Sequence, residues 1–306
     1  MALRTLSSPC VGLLIAALGA ACRPALPAAL QSSSPPLDAA GVVELYPSAP
    51  GSAFSLGTDN PNHTERLRIE KDVRAEPGTD GSIEYWSFRA YPLEYSSGGQ
   101  GKTARLHIHA SGSSQTHTWR NQQGYLSTPR DLKNQEFTAY VRVRGIFDPK
   151  RAAVSPKIRG GQHKREAPAL ASCTMMTFAD RRGPGVARFG KELNHPDYDY
   201  VKLPARTLDA LEDGRWVGLK LVSFAPPSTT DRVVNRLYVD ADPFLADGRP
   251  RNGFVLFSEY VDRADLSTGE YTTLVSWGGF QTTLRVDGVH VLDVAILSVR
   301  EIEASE

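Results

Sequence analysis

The chain has 306 residues, of which 41% are hydrophobic and 23% are charged, and its formal net charge is +1. A chain of this length and composition can bury a sizeable core, and the lack of a global basic excess argues against a nucleic-acid-binding protein. We therefore expect no nucleic-acid partner, and a site for an anionic ligand must come from local clustering of cations.

The N-terminal region predicts export. Arg4 is the only charge before an apolar run from Val11 to Ala21, which is too short to span a membrane and has the layout of a secretory signal. The run ends in Leu18-Gly19-Ala20-Ala21-Cys22, which resembles a bacterial lipoprotein cleavage box with Cys22 as the lipidated first residue. Ordinary cleavage nearer Ala28 is the alternative. We predict an exported bacterial protein that is either lipid-anchored to a membrane of the cell envelope or secreted.

Composition divides the chain into three segments. Residues 1–21 are interpreted as the lipoprotein-type signal, residues 22–40 as a Pro-, Ala- and Ser-rich tether, and residues 41–306 as a single domain. Cys10 leaves with the signal and Cys22 is the lipidation site, so Cys173 has no partner for an internal disulfide. The fold must therefore rest on its core, and we expect a monomer.

Short alternating segments dominate the domain, as is typical of β-strands. Thr207–Gly214 is patterned as one short helix that ends at Gly214. Strands are predicted at Arg66–Glu70, Glu84–Ala90, Thr103–Ala110, Glu136–Val143, Ser155–Gly160, Thr174–Phe178, Val186–Phe189, Trp216–Phe224, Val233–Val239, Phe254–Tyr260, Thr283–Val286 and Val289–Arg300, the last bent or split. About a dozen strands with at most one or two short helices predict an all-β fold of two packed antiparallel sheets, a sandwich or jelly roll.

Four of these strands combine an apolar face with a cationic face. The cationic faces carry Arg66 and Arg68, then Arg105, His107 and His109, then Arg142 and Arg144, and finally Lys157 and Arg159. If the four strands are neighbours, these faces form one basic surface, and arginine suits carboxylates because it bonds them bidentately. The alternative is a convex outer face on which arginine serves solubility, although such faces usually mix both signs.

The segment Lys157-Ile158-Arg159-Gly160-Gly161-Gln162-His163 joins the last of these strands to a bend. We expect Lys157 and Arg159 on one face of the strand and Ile158 on the other. The two glycines let another chain approach closely or let the strand bulge. The segment is interpreted as the floor of a groove for an anionic ligand, and a solvated strand face that runs into a turn is the alternative.

Several segments follow the order and spacing of a known family. They are Arg66-Leu67-Arg68-Ile69-Glu70, the strand that ends in Gln162-His163, Lys191-Glu192-Leu193-Asn194-His195-Pro196-Asp197-Tyr198, Trp216-Val217-Gly218-Leu219-Lys220 and Val299-Arg300-Glu301-Ile302. In these segments the chain resembles the concanavalin-like jelly-roll polysaccharide lyases, the group of alginate lyases and glucuronan lyases. The resemblance implies a concanavalin-like jelly roll, an acidic polysaccharide as partner, and cleavage of a polyuronate by β-elimination.

Elimination of this class requires three kinds of group. The uronate carboxylate must be neutralised by Arg, Gln or Asn, a His or Tyr takes the neighbouring proton, and a Tyr protonates the departing oxygen. The residues that would fit are Arg159 and Gln162 for neutralisation, His163 for the base with His109 and His195 behind it, and Tyr198 or Tyr200 for the acid. A turn-capping role for His195 and an edge-strand role for the two tyrosines are the structural alternatives.

Other residues could contact a sugar or pair with one another. Trp277 lies before two glycines and is interpreted as a sugar-stacking platform, whereas Trp216 beside Val217 is expected in the core. Arg285 and Asp287 share one strand face and are expected to pair with each other.

A metal signal is present in one loop. Asp240, Asp242 and Asp247 offer three carboxylates for a structural Ca²⁺, and ordinary Asp-Pro and Asp-Gly turns are the alternative. No cofactor is required for the proposed elimination.

The sequence thus predicts an exported protein that binds an acidic polysaccharide in a cationic groove and that acts as a polyuronate lyase in its enzymatic version. A non-catalytic carbohydrate-binding protein and a structural cell-envelope lipoprotein on the same fold are the alternatives. The glucanase array Glu-x-Asp-x-x-Glu is absent from the sequence, as are Gly-x-Ser-x-Gly and phosphate-loop patterns. Convergence of the candidate catalytic groups around one sugar unit would favour the lyase.

Overall fold

The computed structural model describes residues 35–57, 61, 66–69, 73–90, 102–110, 132–161, 173–179, 186–204, 211–265 and 269–304. Pro36–Glu306 constitutes one compact unit, which contains every strand named below. Across these ranges, no helix has the length and apolar character needed to cross a membrane.

Fifteen strands account for most of the regular structure in the described ranges. They are β1 (Ser48–Ser55), β2 (Leu67–Ile69), β3 (Val73–Asp80), β4 (Ile83–Ala90), β5 (Lys102–His109), β6 (Gln135–Ile146), β7 (Ala153–Gly160), β8 (Cys173–Ala179), β9 (Val186–Glu192), β10 (Asp199–Leu203), β11 (Trp216–Phe224), β12 (Val233–Asp240), β13 (Val255–Asp262), β14 (Gln281–Asp287) and β15 (Val289–Ile302). A short 3-10 helix, Gly269–Thr272, precedes β14.

The strands form two antiparallel sheets. The eight-stranded sheet has the order β13-β12-β11-β6-β15-β4-β3, and β1 also pairs with β15. The seven-stranded sheet has the order β10-β9-β8-β7-β14-β5-β2. The prediction of an all-β, two-sheet antiparallel sandwich of the jelly-roll type is therefore confirmed.

Period-two alternation places the apolar residues of the seven-stranded sheet against the other sheet. Leu106 and Ile108 of β5 and Leu284 and Val286 of β14 are fully buried in the main core. Because successive side chains of a strand point to opposite faces, the polar residues between them face away from the core. One face of the seven-stranded sheet is thus left to charged and aromatic side chains.

A second apolar cluster covers the outer face of the eight-stranded sheet. Val42, Leu45 and Tyr46 of the segment before β1 pack there with Phe224 and Phe254. Both faces of the central strands are consequently buried, and every residue of β11 is buried. This explains why apolar residues occur on both faces of β11, whose polar side chains Lys220 and Ser223 are hydrogen-bonded to Glu136 and Asn235.

One buried carboxylate joins that N-terminal segment to the sheet. Glu136 of β6 accepts hydrogen bonds from Lys220 Nζ at 2.7 Å and from Arg300 Nη2 at 2.9 Å. It also accepts the backbone N–H groups of Leu45 at 3.0 Å and Tyr46 at 3.2 Å. The buried Glu136 carboxylate therefore binds two cations and two backbone amides. These contacts hold β6, β11, β15 and the segment before β1 in fixed relative positions.

Three strands were missed by the sequence patterns. These are β1, which begins Ser-Ala-Pro-Gly, β3, which contains Pro77 and Gly78, and β10, in which Asp199 precedes Tyr200. Pro, Gly and Asp are depleted in strands, and β3 tolerates its proline because it lies at the edge of its sheet.

Two predictions of local structure need correction or qualification. The described part of the predicted helix, Leu211–Gly214, is not helical, and positions 205–210 lie outside the described residues. The final strand is one continuous element, β15, and its pairing with β6 shifts register between Val294 and Ile296. The irregularity expected there is a local bulge rather than a break.

We predict that Glu136→Ala lowers the free energy of unfolding by about 3 to 5 kcal/mol, because it leaves Lys220 buried without its ion-pair partner and removes one of the two carboxylates that bind Arg300. Urea unfolding monitored by circular dichroism measures this change. Arg249→Ala is the matched control, since it removes an exposed ion pair with Asp247 and should change stability by less than about 0.5 kcal/mol. Equal effects of the two substitutions would contradict the prediction.

Candidate functional site

The outward face of the seven-stranded sheet carries a groove of about 310 Å³. The side chains that define it come from the neighbouring strands β10, β9, β8, β7 and β14 and from the loop before β10. Among the residues that line it are Ser155, Arg188, Tyr198, Tyr200, Arg285 and Asp287. The groove is therefore rich in arginine and tyrosine.

Cross-strand register brings three of the four predicted cationic strands together. Arg68 of β2 pairs with His107 of β5, His107 pairs with Thr283 of β14, and Thr283 pairs with Lys157 of β7. Directly opposed residues have Cβ atoms about 5 Å apart, so these four positions form one row across the sheet. Gln281 Nε2 lies 2.9 Å from His107 Nδ1 and holds the imidazole in place.

A second row runs beside the first. Arg105, Arg285 and Ser155 are opposed on β5, β14 and β7. Asp287 accepts a hydrogen bond from each arginine, at 2.6 Å from Arg105 Nη2 and 2.6 Å from Arg285 Nε. The predicted pairing of Arg285 with Asp287 is therefore confirmed, and the two cations share one carboxylate.

The ionisation of Asp287 follows from these contacts. Burial disfavours its charged form, but Arg105 and Arg285 outweigh burial and hold the pKa of Asp287 below its usual value. The Asp287 carboxylate is therefore charged at neutral pH, and Arg105, Arg285 and Asp287 together carry a net charge of +1. The floor of the groove is cationic where these three side chains lie.

Two tyrosines stack beside this cluster. The rings of Tyr198 and Tyr200 have centroids 5.8 Å apart and are inclined by 8°. Arg285 Cζ lies 5.0 Å from the Tyr198 ring centroid, and Arg188 Cζ lies 5.2 Å from that of Tyr200. The two tyrosine rings and the two guanidinium groups form one cluster, which we call the tyrosine ladder. In it, each cation contacts the negative face of one ring.

Gly190 is required for this stack because Tyr200 lies directly over it. A Cβ atom at position 190 would approach Tyr200 Cε1 to 2.8 Å, which is closer than real side chains come. Burial raises the pKa of both Tyr198 and Tyr200. Both phenols are accordingly neutral hydrogen-bond donors at neutral pH.

A buried hydrogen-bonded cluster lies beneath Tyr198. Lys157 Nζ donates to Tyr198 Oη at 3.0 Å and to Glu192 Oε2 at 2.7 Å. His195 Nδ1 lies 2.7 Å from Glu192 Oε1, and Cys173 Sγ lies 3.5 Å from Glu192 Oε2. Burial opposes the charge of Lys157, but Cys173, Glu192 and Tyr198 together keep its pKa above the usual value.

Arg159 is placed away from the groove, and the prediction that it shares a face with Lys157 is wrong. The pairing of β7 with β14 shifts register between Gln281 and Thr283, and Arg159 adopts a positive φ of 55°. This bulge turns the fully buried Arg159 side chain inward, where Nε donates to Ser223 Oγ at 3.3 Å in the other sheet.

Arg142 and Arg144 also lie apart from the groove, because β6 belongs to the eight-stranded sheet. Both bind the buried carboxylate of Asp293, at 2.9 Å and 2.8 Å from their Nε atoms. The four cationic strands are therefore not all neighbours, because β6 lies in the other sheet.

Arg66 contacts the backbone carbonyls of Ala53 and His109 at the edge of the sheet.

The remaining predicted residues occupy mixed positions. Gln162 and His163, like Cys22, lie outside the described residues. Burial lowers the pKa of His109, whose Nε2 atom has no hydrogen-bond partner among the described residues. Trp277 is half-buried in the loop before β14, and its carbonyl accepts a hydrogen bond from Arg159 at 3.0 Å.

The three aspartates of the predicted calcium loop contact protein groups. Asp240 accepts the backbone N–H of Gly253 at 2.8 Å, and Asp242 and Asp247 pair with Arg251 and Arg249. Within the described ranges, no three His, Cys, Asp or Glu side chains come together in a way that could hold a metal ion. The Ca²⁺ site stays a prediction from the sequence.

Sequence reasoning did not select Arg188 or Glu192 as site residues. Along β9, Arg188, Gly190 and Glu192 alternate with Ala187, Phe189 and Lys191. Ala187 and Phe189 belong to the main core, so this alternation is the signal that could have assigned the other set to the groove side.

We predict that Asp287→Asn lowers the free energy of unfolding by about 2 kcal/mol at pH 7. The folded pKa of Asp287 lies below its unfolded value, so its stabilisation is complete above about pH 4 and is lost as the pH falls further. The difference between the two proteins should therefore shrink as the pH falls below about 4, as measured by urea unfolding at each pH. A difference that stays constant as the medium is acidified would contradict the assignment.

Similarity to known proteins is found among solved structures. No family model matches the sequence, and no curated protein sequence matches it significantly. Similar solved structures include the endo-β-1,4-glucuronan lyase of the fungus Trichoderma reesei, with TM-score 0.46, 11% identity, and coverage of 82% of this chain and 95% of that one. The marine PL-14 alginate lyase of Aplysia kurodai gives TM-score 0.44, 10% identity, and coverage of 82% and 99%.

Lectin-like proteins and glycoside hydrolases are similar as well. The lumenal domain of VIP36, bound to Ca²⁺ and Man3GlcNAc, has TM-score 0.40 and 10% identity, and covers 82% of this chain and 90% of its own. The neighbours thus include the lyase group that the sequence segments resemble, alongside lectins and family 16 glycoside hydrolases. The likeness is one of fold, and the sugar-related activities belong to those proteins.

Proposed function

We propose that the groove on the seven-stranded sheet binds an acidic polysaccharide. The observation that carries this proposal is the ladder in which Arg285 and Arg188 enclose the stacked rings of Tyr198 and Tyr200. The ring beside each guanidinium restrains its position, as Asp287 does for Arg285, and a restrained planar fork is suited to bidentate bonding of a carboxylate. An uncharged sugar would not need two arginines held in this way.

The charge balance of the site supports an anionic ligand. Arg105 and Arg285 share the single carboxylate of Asp287, and Lys157 pairs with Glu192. Two arginines on one carboxylate leave a local positive excess in a chain whose formal net charge is only +1. A groove of one sign attracts a polyanion and raises its local concentration.

Cleavage by β-elimination is the second candidate function, and the contact between Lys157 and Tyr198 favours it. Burial raises the pKa of Tyr198, so its hydroxyl remains protonated and can donate a proton. Lys157 Nζ, 3.0 Å from Tyr198 Oη, would stabilise the phenolate left after the transfer. His195, three residues earlier, is the candidate base within the described residues.

The elimination step balances with these groups. The C–H bond next to the uronate carboxylate breaks, and His195 takes the proton. The released electron pair forms a carbon–carbon double bond while the neighbouring C–O glycosidic bond breaks. The departing oxygen takes the proton of Tyr198, and solvent later returns a proton from His195 to Tyr198. No oxidant or cofactor is needed.

Export, a lipid anchor at Cys22 and a structural Ca²⁺ stay proposals from the sequence. They are consistent with a ligand of the cell envelope or its surroundings, where acidic polysaccharides would meet an anchored protein.

We predict that Arg188→Met weakens binding to an acidic polymer by about 10- to 100-fold, because a charge-assisted contact of about 1.5 to 3 kcal/mol is lost. Isothermal titration with polyglucuronate, polymannuronate, polyguluronate and pectate measures the affinity of the full-length protein at fixed salt. Arg249→Met is the matched control, since it removes one arginine from an exposed ion pair outside the groove. Equal losses in both variants, or equal binding of an uncharged glucan, would refute an acidic-ligand groove.

For the elimination candidate we predict a rise in ultraviolet absorbance when the wild-type protein acts on at least one of the four acidic polymers, because an unsaturated uronate forms. Tyr198→Phe should reduce the rate about 100-fold while it leaves polymer affinity nearly unchanged, since only the proton donor is removed. No rise with the wild-type protein on any polymer would reject elimination and leave binding as the function.

A further inference from the structure

Glu192 is a fully buried carboxylate that joins two groove-side residues. Its oxygens lie 2.7 Å from Lys157 Nζ and 2.7 Å from His195 Nδ1. Lys157 in turn donates to Tyr198 Oη at 3.0 Å. One carboxylate thus stands at the centre of a hydrogen-bonded chain with His195 at one end and Tyr198 at the other.

The contact with Glu192 determines the tautomer of His195. An ionised carboxylate accepts hydrogen bonds and cannot donate them, so the nitrogen beside it must carry a hydrogen. In neutral His195 the hydrogen therefore lies on Nδ1 and the lone pair lies on Nε2. Because the His195 side chain is 23% exposed, this basic nitrogen belongs to a ring that is partly open to solvent.

The contact through Lys157 determines how Tyr198 presents its hydroxyl. The ammonium group is a pure donor, so Tyr198 Oη accepts from it and directs its own O–H elsewhere. Lys157 is itself buried and is held in place by Glu192 at 2.7 Å. Without Glu192, the buried ammonium would lose its carboxylate contact and its fixed position under the tyrosine.

We propose that Glu192 is a positioning residue that prepares His195 as a base, by fixing its hydrogen on Nδ1, and Tyr198 as an acid, through Lys157. The inference deepens the elimination candidate and rests on it for its catalytic meaning. Glu192 itself transfers no proton. The arrangement of the two groups is a property of the protein that can be measured without any turnover.

A purely structural ion pair offers a direct contrast on the same strand. Lys191, the neighbour of Glu192, points to the opposite side of β9 and pairs with Asp262 of β13 at 2.9 Å. Lys191 and Asp262 are as deeply buried as Lys157 and Glu192. Lys191 Nζ donates to Asp262 at 2.9 Å and to the carbonyl of Thr273 at 2.6 Å, and neither contact involves Glu192. Asp262→Asn is therefore a matched control for loss of a buried carboxylate.

The experiment compares Glu192→Gln with Asp262→Asn in the full-length protein. Nitrogen-15 NMR of the imidazole rings, with the His195 signals assigned by their loss in His195→Gln, reports the tautomer directly. We expect the Nδ1–H form of His195 in the wild-type protein and in Asp262→Asn. In Glu192→Gln this preference should be lost, because the amide can present either a donor or an acceptor to the ring.

Polymer binding and elimination are measured on the same proteins. Glu192→Gln should keep its affinity for the acidic polymer within about threefold and lose about 100-fold in elimination rate, since base and acid are both misplaced. Asp262→Asn should lower the urea midpoint without changing the tautomer. If Glu192→Gln proves too unstable to study, Glu192→Asp takes its place. Because this variant keeps the charge but has a shorter side chain, it should retain only part of the Nδ1–H population of the wild-type protein.

Three outcomes would overturn the role of Glu192. One is a wild-type His195 with its hydrogen on Nε2. The second is an Nδ1–H preference that survives in Glu192→Gln, and the third is a preference that is lost equally in Asp262→Asn. A wild-type protein that eliminates no polymer would reject the elimination candidate instead, and the tautomer measurement would still decide whether Glu192 organises His195.

Discussion

The placement of β14 between β5 and β7 is the constraint on which the groove depends. Antiparallel pairing on both sides sets Arg285 opposite Arg105 and Thr283 opposite Lys157. A slip of one residue would exchange the faces of the strand and send Leu284 to the solvent. Burial of the apolar face therefore fixes the register, and the register assembles the cations. The charged surface is a consequence of the core beneath it.

The two sheets differ in how their faces are covered. The eight-stranded sheet is covered on both sides, and Glu136 ties the covering segment to it through Lys220 and Arg300. The seven-stranded sheet packs one face against the core, and its other face holds the tyrosine ladder with Arg105 and Arg285. The eight-stranded sheet, buried on both faces, gives the seven-stranded sheet a rigid support. Such a support suits a groove whose side chains must keep fixed positions.

Alternation along the chain was sufficient to predict the sandwich, most of its strands, the shared cationic face of β2, β5 and β7, and the pairing of Arg285 with Asp287. It could not assign β6 to the other sheet, because sheet partners are set by contacts between distant segments. It also missed the inward turn of Arg159, since a positive φ is uncommon outside glycine. Glu192 was missed because its partner Lys157 is 35 residues away, and no local pattern reports that contact.

The two buried ion pairs of β9 constrain how this protein can change over generations. Lys157–Glu192 and Lys191–Asp262 secure the strand from its two sides, so adjacent positions carry opposite charges that face opposite ways. Replacing one member of a buried pair isolates a charge, whereas replacing both can be neutral. A lineage in which either ion pair is replaced must therefore pass through a destabilised intermediate, or both residues of the pair must change together. These four positions should evolve as two epistatic couples, even if the groove above them acquires a different ligand.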